Sequence, residues 1–529
     1  MYDYWLATAP LVAIAAGHLI LAGVVTAHAL LHKADTKSAF GWIGVAWLSP
    51  VVGAALYWAF GINRVSRRAT RLRRRRARQG ERRARQAKMG LPGQGPRKSE
   101  IDSGADSDRG RRARPEDPDS RKGPWSHARA YSRQDGESAK LPERLPAYLA
   151  TIAQVAEIAS ETPLTSGNSV EMLRCGDEAY PAMIEAIGRA KVSIALTSYI
   201  FRGDRAGKDI AAALAAAKAR GVALRVMLDG FGAGYLYSSG AAALAAAGVP
   251  YQRFLHYWMP WRMPFLNMRN HKKLLIIDGK EAFTGGLNIG AENILASHPR
   301  HGVQDIHFRF TGPVVRQMMT SFAEDWSFST GERLEGEAWW PPVQPAGPVL
   351  ARGISSGPDE DAGSLEAVLT AAVSAAQRRL RVVTPYFLPE STLAIALALA
   401  AARGVETDVI IPERSDGILL DWAVRAHIAF MRAPGLRFHF SPGPFDHSKM
   451  VTVDGAWSLV GSANWDVRSF WLNFEFVVEC YDETVTGLID KVIEEKIAAS
   501  RPFTPSELRR LPTPVRLRNA AARLLMPYL

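Results

Sequence analysis

Two apolar stretches open the chain. From Tyr4 to Leu31, and again from Ser38 to Asn63, there is no Asp, Glu, Lys or Arg. Each exceeds the roughly 20 apolar residues that cross a bilayer core of about 30 Å. The pattern predicts a transmembrane hairpin over 1–63, with spans near 4–31 and 38–62 joined by the short loop His32–Lys37. His18, His28 and Pro50 are interruptions that a spanning helix tolerates. Trp5, Trp42, Trp47 and Trp58 fall at interface depths. A pair of buried core helices is the alternative. A cleaved signal peptide fits less well, because no cationic segment precedes the first apolar run and a second one follows.

Apolar periodicity then stops. Residues 64–140 are rich in Arg, Gly, Ser, Asp and Pro, which predicts a basic, disordered tether. Its first part is either a basic helix lying on anionic headgroups or a solvated charge run that only sets topology. Alternating and helical patterns resume near Leu141, and they resume twice. Val192–Ile200 reads as a strand, followed by an Ala-rich helix from Asp209, a stop at Gly221 and the strand ALRVMLDG. Leu380–Phe387 reads as a second such strand, followed by a helix from Ser391, a stop at Gly404 and the strand TDVIIP. Prolines 341, 342, 345 and 348 mark the boundary between the copies. The predicted architecture is α/β: two similar domains with mixed sheets flanked by helices, over 141–340 and 341–505. A C-terminal basic amphipathic tail covers 506–529, with Arg516, Arg518 and Arg523 beside Leu517, Leu524 and Leu525.

Charge sharpens this division. The 529 residues carry a formal net charge of +13, which taken whole suggests a nucleic-acid partner. Residues 61–140, however, hold 24 Lys and Arg against 10 Asp and Glu, while residues 1–60 are neutral. The remaining chain is therefore close to neutral and lacks the basic groove that a polyanion requires. The Arg-rich run after Asn63, set against Lys33 and Lys37 in the loop, places the long C-terminal part in the cytoplasm by the positive-inside rule. Cys175 and Cys480 are too few for a disulfide framework or a multi-cysteine metal site.

The candidate chemistry is duplicated as well. The first copy reads Asn-His-Lys-Lys-Leu-Leu-Ile-Ile-Asp, with His271, Lys273 and Asp278, then Gly285, Gly286 and Asn288. The second reads Asp-His-Ser-Lys-Met-Val-Thr-Val-Asp, with His447, Lys449 and Asp454, then Gly461, Ser462 and Asn464. His to Asp is seven residues in both copies, His to Gly fourteen and His to Asn seventeen. His-x-Lys on a strand would put both side chains on one face, with Leu275, Ile277, Val451 and Val453 free to face a core. Two copies brought together give two imidazoles, two ammonium groups and two carboxamides around one cavity, which suits a phosphate. The lysines with Asn288 and Asn464 can stabilise charge on phosphorus, while one imidazole attacks and the other protonates the leaving alkoxide. Asp278 and Asp454, each followed by Gly at a strand end, also read as hairpin turns and are more structural than chemical. His301, His307, His427 and His439 lie in no repeated constellation, and no metal site is expected.

The twin H-x-K-x4-D motif resembles the phospholipase D superfamily over roughly 145–500. Within it, the apolar N-terminus ending in ALYWAFG, the segment RNHKKLLIIDG–FTGGLNIG and the C-terminal LLMPYL look like bacterial cardiolipin synthases. The resemblance implies two pseudo-symmetric phospholipase-D-like domains, a phosphohistidine intermediate, and lipid substrates such as phosphatidylglycerol in an anionic membrane. It requires neither cofactor nor nucleic acid. It further implies His271 as nucleophile and His447 as general acid, and carboxylates Asp305 and Glu475 that orient the histidines through the other ring nitrogen. Asp305 and Glu475 each lie seven residues before a turn residue, Gly312 and Asp482; a surface strand carboxylate is the alternative. A phospholipase D or another headgroup-exchange enzyme would share the same motifs, as would a nuclease of the superfamily. The aromatic segment Phe254–Phe265 suits either insertion into the membrane interface or a lid over the site.

Overall fold

Both Ala-rich helices end where a glycine enters the left-handed region, Gly221 at φ 91° and Gly404 at φ 89°, and a parallel strand follows each. The computed structural model describes residues 2–32, 36–58, 138–143, 145–256, 268–358, 361–431, 434–524 and 526, with side chains of the first helix described from Ala16 onward. It divides into an N-terminal unit, Met1–Arg68, and a large unit, Ala69–Leu529.

The N-terminal unit contains the helices Tyr2–His32, Thr36–Leu48 and Pro50–Leu56. The first covers the first charge-free stretch. The second stretch is not one helix: it breaks at Ser49, whose φ of −148° leaves the helical region, and restarts at Pro50, which lacks an amide N–H. Trp47 Nε1 donates to Thr26 Oγ1 at 3.0 Å, and His28 Nδ1 lies 2.8 Å from the Tyr57 hydroxyl, tying the pieces together. Among the described residues no helix is long and apolar enough to cross a membrane. Most of the basic tether, and residues 257–265 of the aromatic segment, lie outside the described residues.

In the large unit the first half contributes β1 (Thr165–Arg174), β2 (Ser193–Ser198), β3 (Ala223–Asp229), β4 (Tyr251–Phe254), β5 (Arg269–Asn270), β6 (Leu274–Ile277), β7 (Glu281–Gly285), β8 (Val303–Gln304) and β9 (Ile306–Thr311). The second contributes β10 (Val349–Ser356), β11 (Arg379–Val383), β12 (Phe387–Leu388), β13 (Glu406–Pro412), β14 (Leu436–Ser441), β15 (Phe445–Asp446), β16 (Met450–Val453), β17 (Trp457–Gly461), β18 (Trp465–Asp466), β19 (Asn473–Tyr481) and β20 (Arg501–Phe503). The long strands form one continuous mixed sheet. Its order, β4-β3-β2-β6-β7-β9-β1-β10-β19-β17-β16-β11-β13-β14-β20, runs through the same plan outward from an antiparallel β1–β10 junction. Within this order, three neighbouring strands of each half, β2-β3-β4 and β11-β13-β14, are parallel and the other neighbours antiparallel, as expected for a mixed sheet.

Each half has its own apolar core. Leu275 and Ile277 belong to the first, Val451 and Val453 to the second. The helix Leu149–Ser160 lies within the segment 141–340, yet its buried Leu149, Ile152 and Ala156 join the core of the second half beside the helix Ser364–Ala375. The C-terminal segment forms a helix, Thr513–Leu524, that packs on the helix Ile418–Phe430. There the guanidinium of Arg518 lies 4.1 Å from the Trp422 ring centroid, while Leu517 and Leu524 remain exposed.

Candidate active site

The two motif histidines are not inside the long strands. Residues 271–273 and 447–449 are irregular and link a two-residue strand to the core strand that follows, so the one-face-of-a-strand geometry expected for His-x-Lys is not how they are placed. The short strands explain why. β5 pairs in parallel with the start of β19, and β15 pairs in parallel with β8, so each half lends its pre-motif residues to the other half. The His271 amide donates to the Phe474 carbonyl at 2.9 Å, and the His447 amide to the Gln304 carbonyl at 2.8 Å. Ion pairs of opposite polarity pin the flanks. Lys272 meets Asp325 at 2.9 Å in the first half, and Asp446 meets Lys496 at 2.6 Å in the second.

The imidazoles follow the same exchange. His271 Nδ1 lies 2.9 Å from Glu475 Oε2, and His447 Nδ1 lies 2.8 Å from Asp305 Oδ2. Each carboxylate therefore serves the histidine of the other half. All four side chains are buried, and both imidazoles open onto one cavity of about 550 Å³, which Asn288, Asn464 and Asn473 also line.

The two pairs differ in detail. Glu475 also accepts from Ser462 Oγ at 2.5 Å, Ser469 Oγ at 3.0 Å and Asn473 Nδ2 at 3.1 Å. Burial pushes its pKa up, but His271, Lys273 and the Ser462 hydroxyl outweigh this and hold it below the usual value. Asp305 accepts from the Ile306 amide at 2.8 Å, and burial raises it to about 7 against the pull of Lys449. The position of Ser462 is taken in the first half by Gly286, where a Cβ would collide with the Asp305 carboxylate. The glycine thus makes room for the carboxylate.

Lys273 and Lys449 are buried behind the cavity lining, and each ammonium donates to the carbonyl of its own motif histidine, at 2.8 Å for Lys273. Burial lowers Lys273 to about 7 and Lys449 to about 8. Burial likewise brings His271 down to about 4. It takes His447 well below its ordinary value, helped by the charges of Lys449, Lys273 and His271. Both imidazoles are accordingly neutral near pH 7, and neighbouring cations favour the arrival of an anion.

Asp278 and Asp454 stand apart from the cavity. Each has a positive φ, near 50°. Asp278 accepts the backbone amides of Lys191, Val192 and Ser193 at the start of β2. Asp454 does the same for Gln377, Arg378 and Arg379 before β11, and takes the Tyr148 hydroxyl at 2.5 Å. Asp454→Ala is expected to cost about 2–4 kcal/mol, because three part-buried amides lose their acceptor. The check is the denaturant midpoint, with residual activity tracking the folded fraction; an unchanged midpoint would refute this structural role.

Two cavity residues escaped the motif reading although the repeat carried them. Tyr199 follows β2 and Tyr386 follows β11, in Thr-Ser-Tyr and Thr-Pro-Tyr. Tyr199 packs edge-on against His271 with centroids 4.8 Å apart, and the Tyr386 hydroxyl donates to Asp416. Arg269, Arg468 and Asp416 also line the cavity, and no repeated pattern marks them. His307, His427 and His439 are buried elsewhere, with His439 paired to Asp408 at 2.7 Å. Among the described residues no group of three or more His, Cys, Asp or Glu is placed to share a metal ion.

Residues 183–326 and 369–497 match the family model described as cardiolipin synthase, phospholipase-D-like domain. One matched segment falls in each half and carries one motif with its carboxylate. The chain belongs to this family. It is 32% identical over 368 residues to the major cardiolipin synthase ClsA of Bacillus subtilis, covering 69% of this chain and 76% of that one. It is also 32% identical over 369 residues to cardiolipin synthase A of Pseudomonas fluorescens, with the same coverage. Among solved structures, a phosphatidylserine synthase of Haemophilus influenzae shares the fold, with a TM-score of 0.55 at 17% identity over 72% of this chain and all of that one.

Proposed function

We propose that this family member is a phosphatidyltransferase that makes cardiolipin from two molecules of phosphatidylglycerol and releases glycerol. The observation that carries the proposal is the pair of exchanged His–carboxylate contacts facing one cavity. With Nδ1 committed to Glu475, His271 presents Nε2 to phosphorus. The bound phosphodiester anion favours the protonated form of His447; the N–P bond forms as the P–O bond to glycerol breaks, and the His447 imidazolium delivers its Nε2 proton to the departing oxygen. Glu475, kept anionic, offsets the positive charge that grows on His271. The terminal hydroxyl of the second lipid then gives its proton to His447 and displaces His271 from phosphorus. Lys273, Lys449, Asn288 and Asn464 supply the field that stabilises the pentacoordinate oxygens. Water must be kept from the intermediate, since its attack gives phosphatidic acid.

The deciding assay is the purified chain in phosphatidylglycerol micelles. Cardiolipin and glycerol are expected in equal amounts; phosphatidic acid alone would identify a phospholipase D and overturn the proposal. The buried lysines also predict a pH limit. Free enzyme loses their charge as pH rises through about 7 to 8, so kcat/KM is expected to fall on the alkaline side of that range. A profile flat to pH 10 would show that the ammonium charges are not used.

The same proposal assigns residues 1–63 as a two-span anchor in the bacterial cytoplasmic membrane and 64–140 as a basic tether. The halves 141–340 and 341–505 lie on the cytoplasmic side with the tail 506–529. The charge-free stretches and the arginine run after Asn63 support this topology.

A further inference from the structure

The helix Thr513–Leu524 is packed against the rest of the chain by small and polar residues rather than by its leucines. Its side turned to the helix Ile418–Phe430 buries Asn519 and Ala522, which are 3% and 4% exposed. Leu517 and Leu524 are 66% and 80% exposed. With the exposed Ala521 they recur at the helical spacing of four and three, so they form one stripe on the outer side. A helix that meets protein on one side and water on the other turns its leucines inward. Here the arrangement is inverted.

Arginines border this stripe on both flanks. Arg516 and Arg523 each precede a leucine, and Arg518 follows Leu517. From Leu508 to Leu524 there are five arginines and no acidic residue. Arg509 donates to the Ala429 carbonyl at 3.1 Å, Arg518 to Asn519 Oδ1 at 2.9 Å, and Arg523 lies 4.7 Å from the Phe430 ring centroid. The carboxylates of adjoining segments are committed elsewhere. Glu507 meets Arg501 at 3.5 Å, Asp421 accepts the Ser415 amide at 3.0 Å, and Asp416 takes the Tyr386 hydroxyl.

The helix that carries this face begins at the cavity. Asp416 and Leu420 line the cavity, and Ile418 and Leu419 between them are exposed. Arg518 meets Trp422 and Arg523 meets Phe430, so the two helices run side by side in one direction.

We infer that the outer face of Thr513–Leu524 seats on an anionic lipid surface, with its leucines in the interface and its arginines on phosphate headgroups. Arginine stems can cover apolar surface while their guanidinium groups stay among the headgroups. A second copy of the chain would cover the leucines as well, but a self-complementary contact would oppose the same uncompensated cations to one another. The purpose of the seat rests on the proposed use of a membrane lipid: it holds one wall of the cavity at the surface that supplies the substrate.

The test uses the full chain in lipid nanodiscs, with the polarity-sensitive fluorophore NBD attached at Ala521→Cys. A second preparation carries the label at Lys191→Cys, an exposed position before β2, at the strand end opposite the cavity residue Tyr199. Cys175 and Cys480 are buried, and the unsubstituted chain gives the labelling background. In discs of equal parts phosphatidylcholine and phosphatidylglycerol, emission from position 521 is expected to move to the blue. Nitroxide carried on the lipid should quench it severalfold more strongly than the label at 191. Discs of phosphatidylcholine alone, or Arg516→Gln combined with Arg523→Gln, are expected to reverse most of both effects. Quenching of position 521 by aqueous iodide as strongly as position 191 would overturn the inference. Shielding from iodide and lipid nitroxide alike would also overturn it, because protein would then cover the leucines. Equal lipid quenching in both kinds of disc would refute the assignment to an anionic surface. No readout requires turnover, so a chain that seats on lipid without making cardiolipin would sink only the transferase proposal.

Discussion

Alanine at His271 or at His447 is expected to lower cardiolipin formation by about ten-thousand-fold, with the double variant little worse than either single one. In the proposed mechanism the two imidazoles act on one phosphorus, so losing either stops the same sequence of steps. Folding offers no competing explanation of comparable size. Each histidine makes one ring hydrogen bond and one backbone hydrogen bond to the opposite half, and alanine retains the backbone bond. The two variants should nevertheless part company with a phosphodiester whose leaving group is p-nitrophenol. That group departs without a proton, so His447→Ala should recover release of p-nitrophenol while His271→Ala should not. Recovery by the His271 variant alone would reverse the two assignments, and full activity of either variant on phosphatidylglycerol would refute the two-histidine mechanism.

Glu475→Gln is expected to cost about a hundred- to ten-thousand-fold in kcat, because an amide can still accept one bond but cannot balance an imidazolium. Asp305→Asn should cost less near neutral pH. Its carboxyl has a pKa raised to about 7, so below that value the native side chain is itself largely neutral and the amide resembles it. As pH rises through 7 the native group ionises, and the ratio of wild-type to variant activity should grow. For Glu475, held below the usual carboxylate range, the ratio should be flat over the same interval. Parallel ratio profiles for the two variants from pH 6 to 8 would show that the two pairs are electrostatically equivalent, contrary to their surroundings. The difference traces to one position of the repeat. Ser462 donates to Glu475, whereas Gly286 in the matching place offers Asp305 only space.

The sequence by itself determined the repeat, the residue types of the site and most of the element order. Strand, helix, glycine and strand occur twice because alternating apolar residues and a left-handed glycine are local requirements. They hold wherever the segment is later packed. The equal spacings from His271 to Asn288 and from His447 to Asn464 were legible for the same reason. Asp278 and Asp454 were recognisable as turn residues, since Asp-Gly constrains its own backbone. The repeated tyrosines, Tyr199 and Tyr386, were equally available in the sequence but carried no motif spacing to mark them.

What the sequence left open depends on contacts between residues distant along the chain. Nothing local states that Asp305 orients His447, 142 residues away, or that Glu475 orients His271 across 204. That exchange exists because β5 and β15 each pair with the other half's strand, a choice made by the β1–β10 junction of the whole sheet. Arg269 and Arg468 lie far apart in sequence and follow no period. Only the closing of the two halves around one cavity makes both part of its lining, and charge interactions in a buried site are set by distance and desolvation rather than by order along the chain.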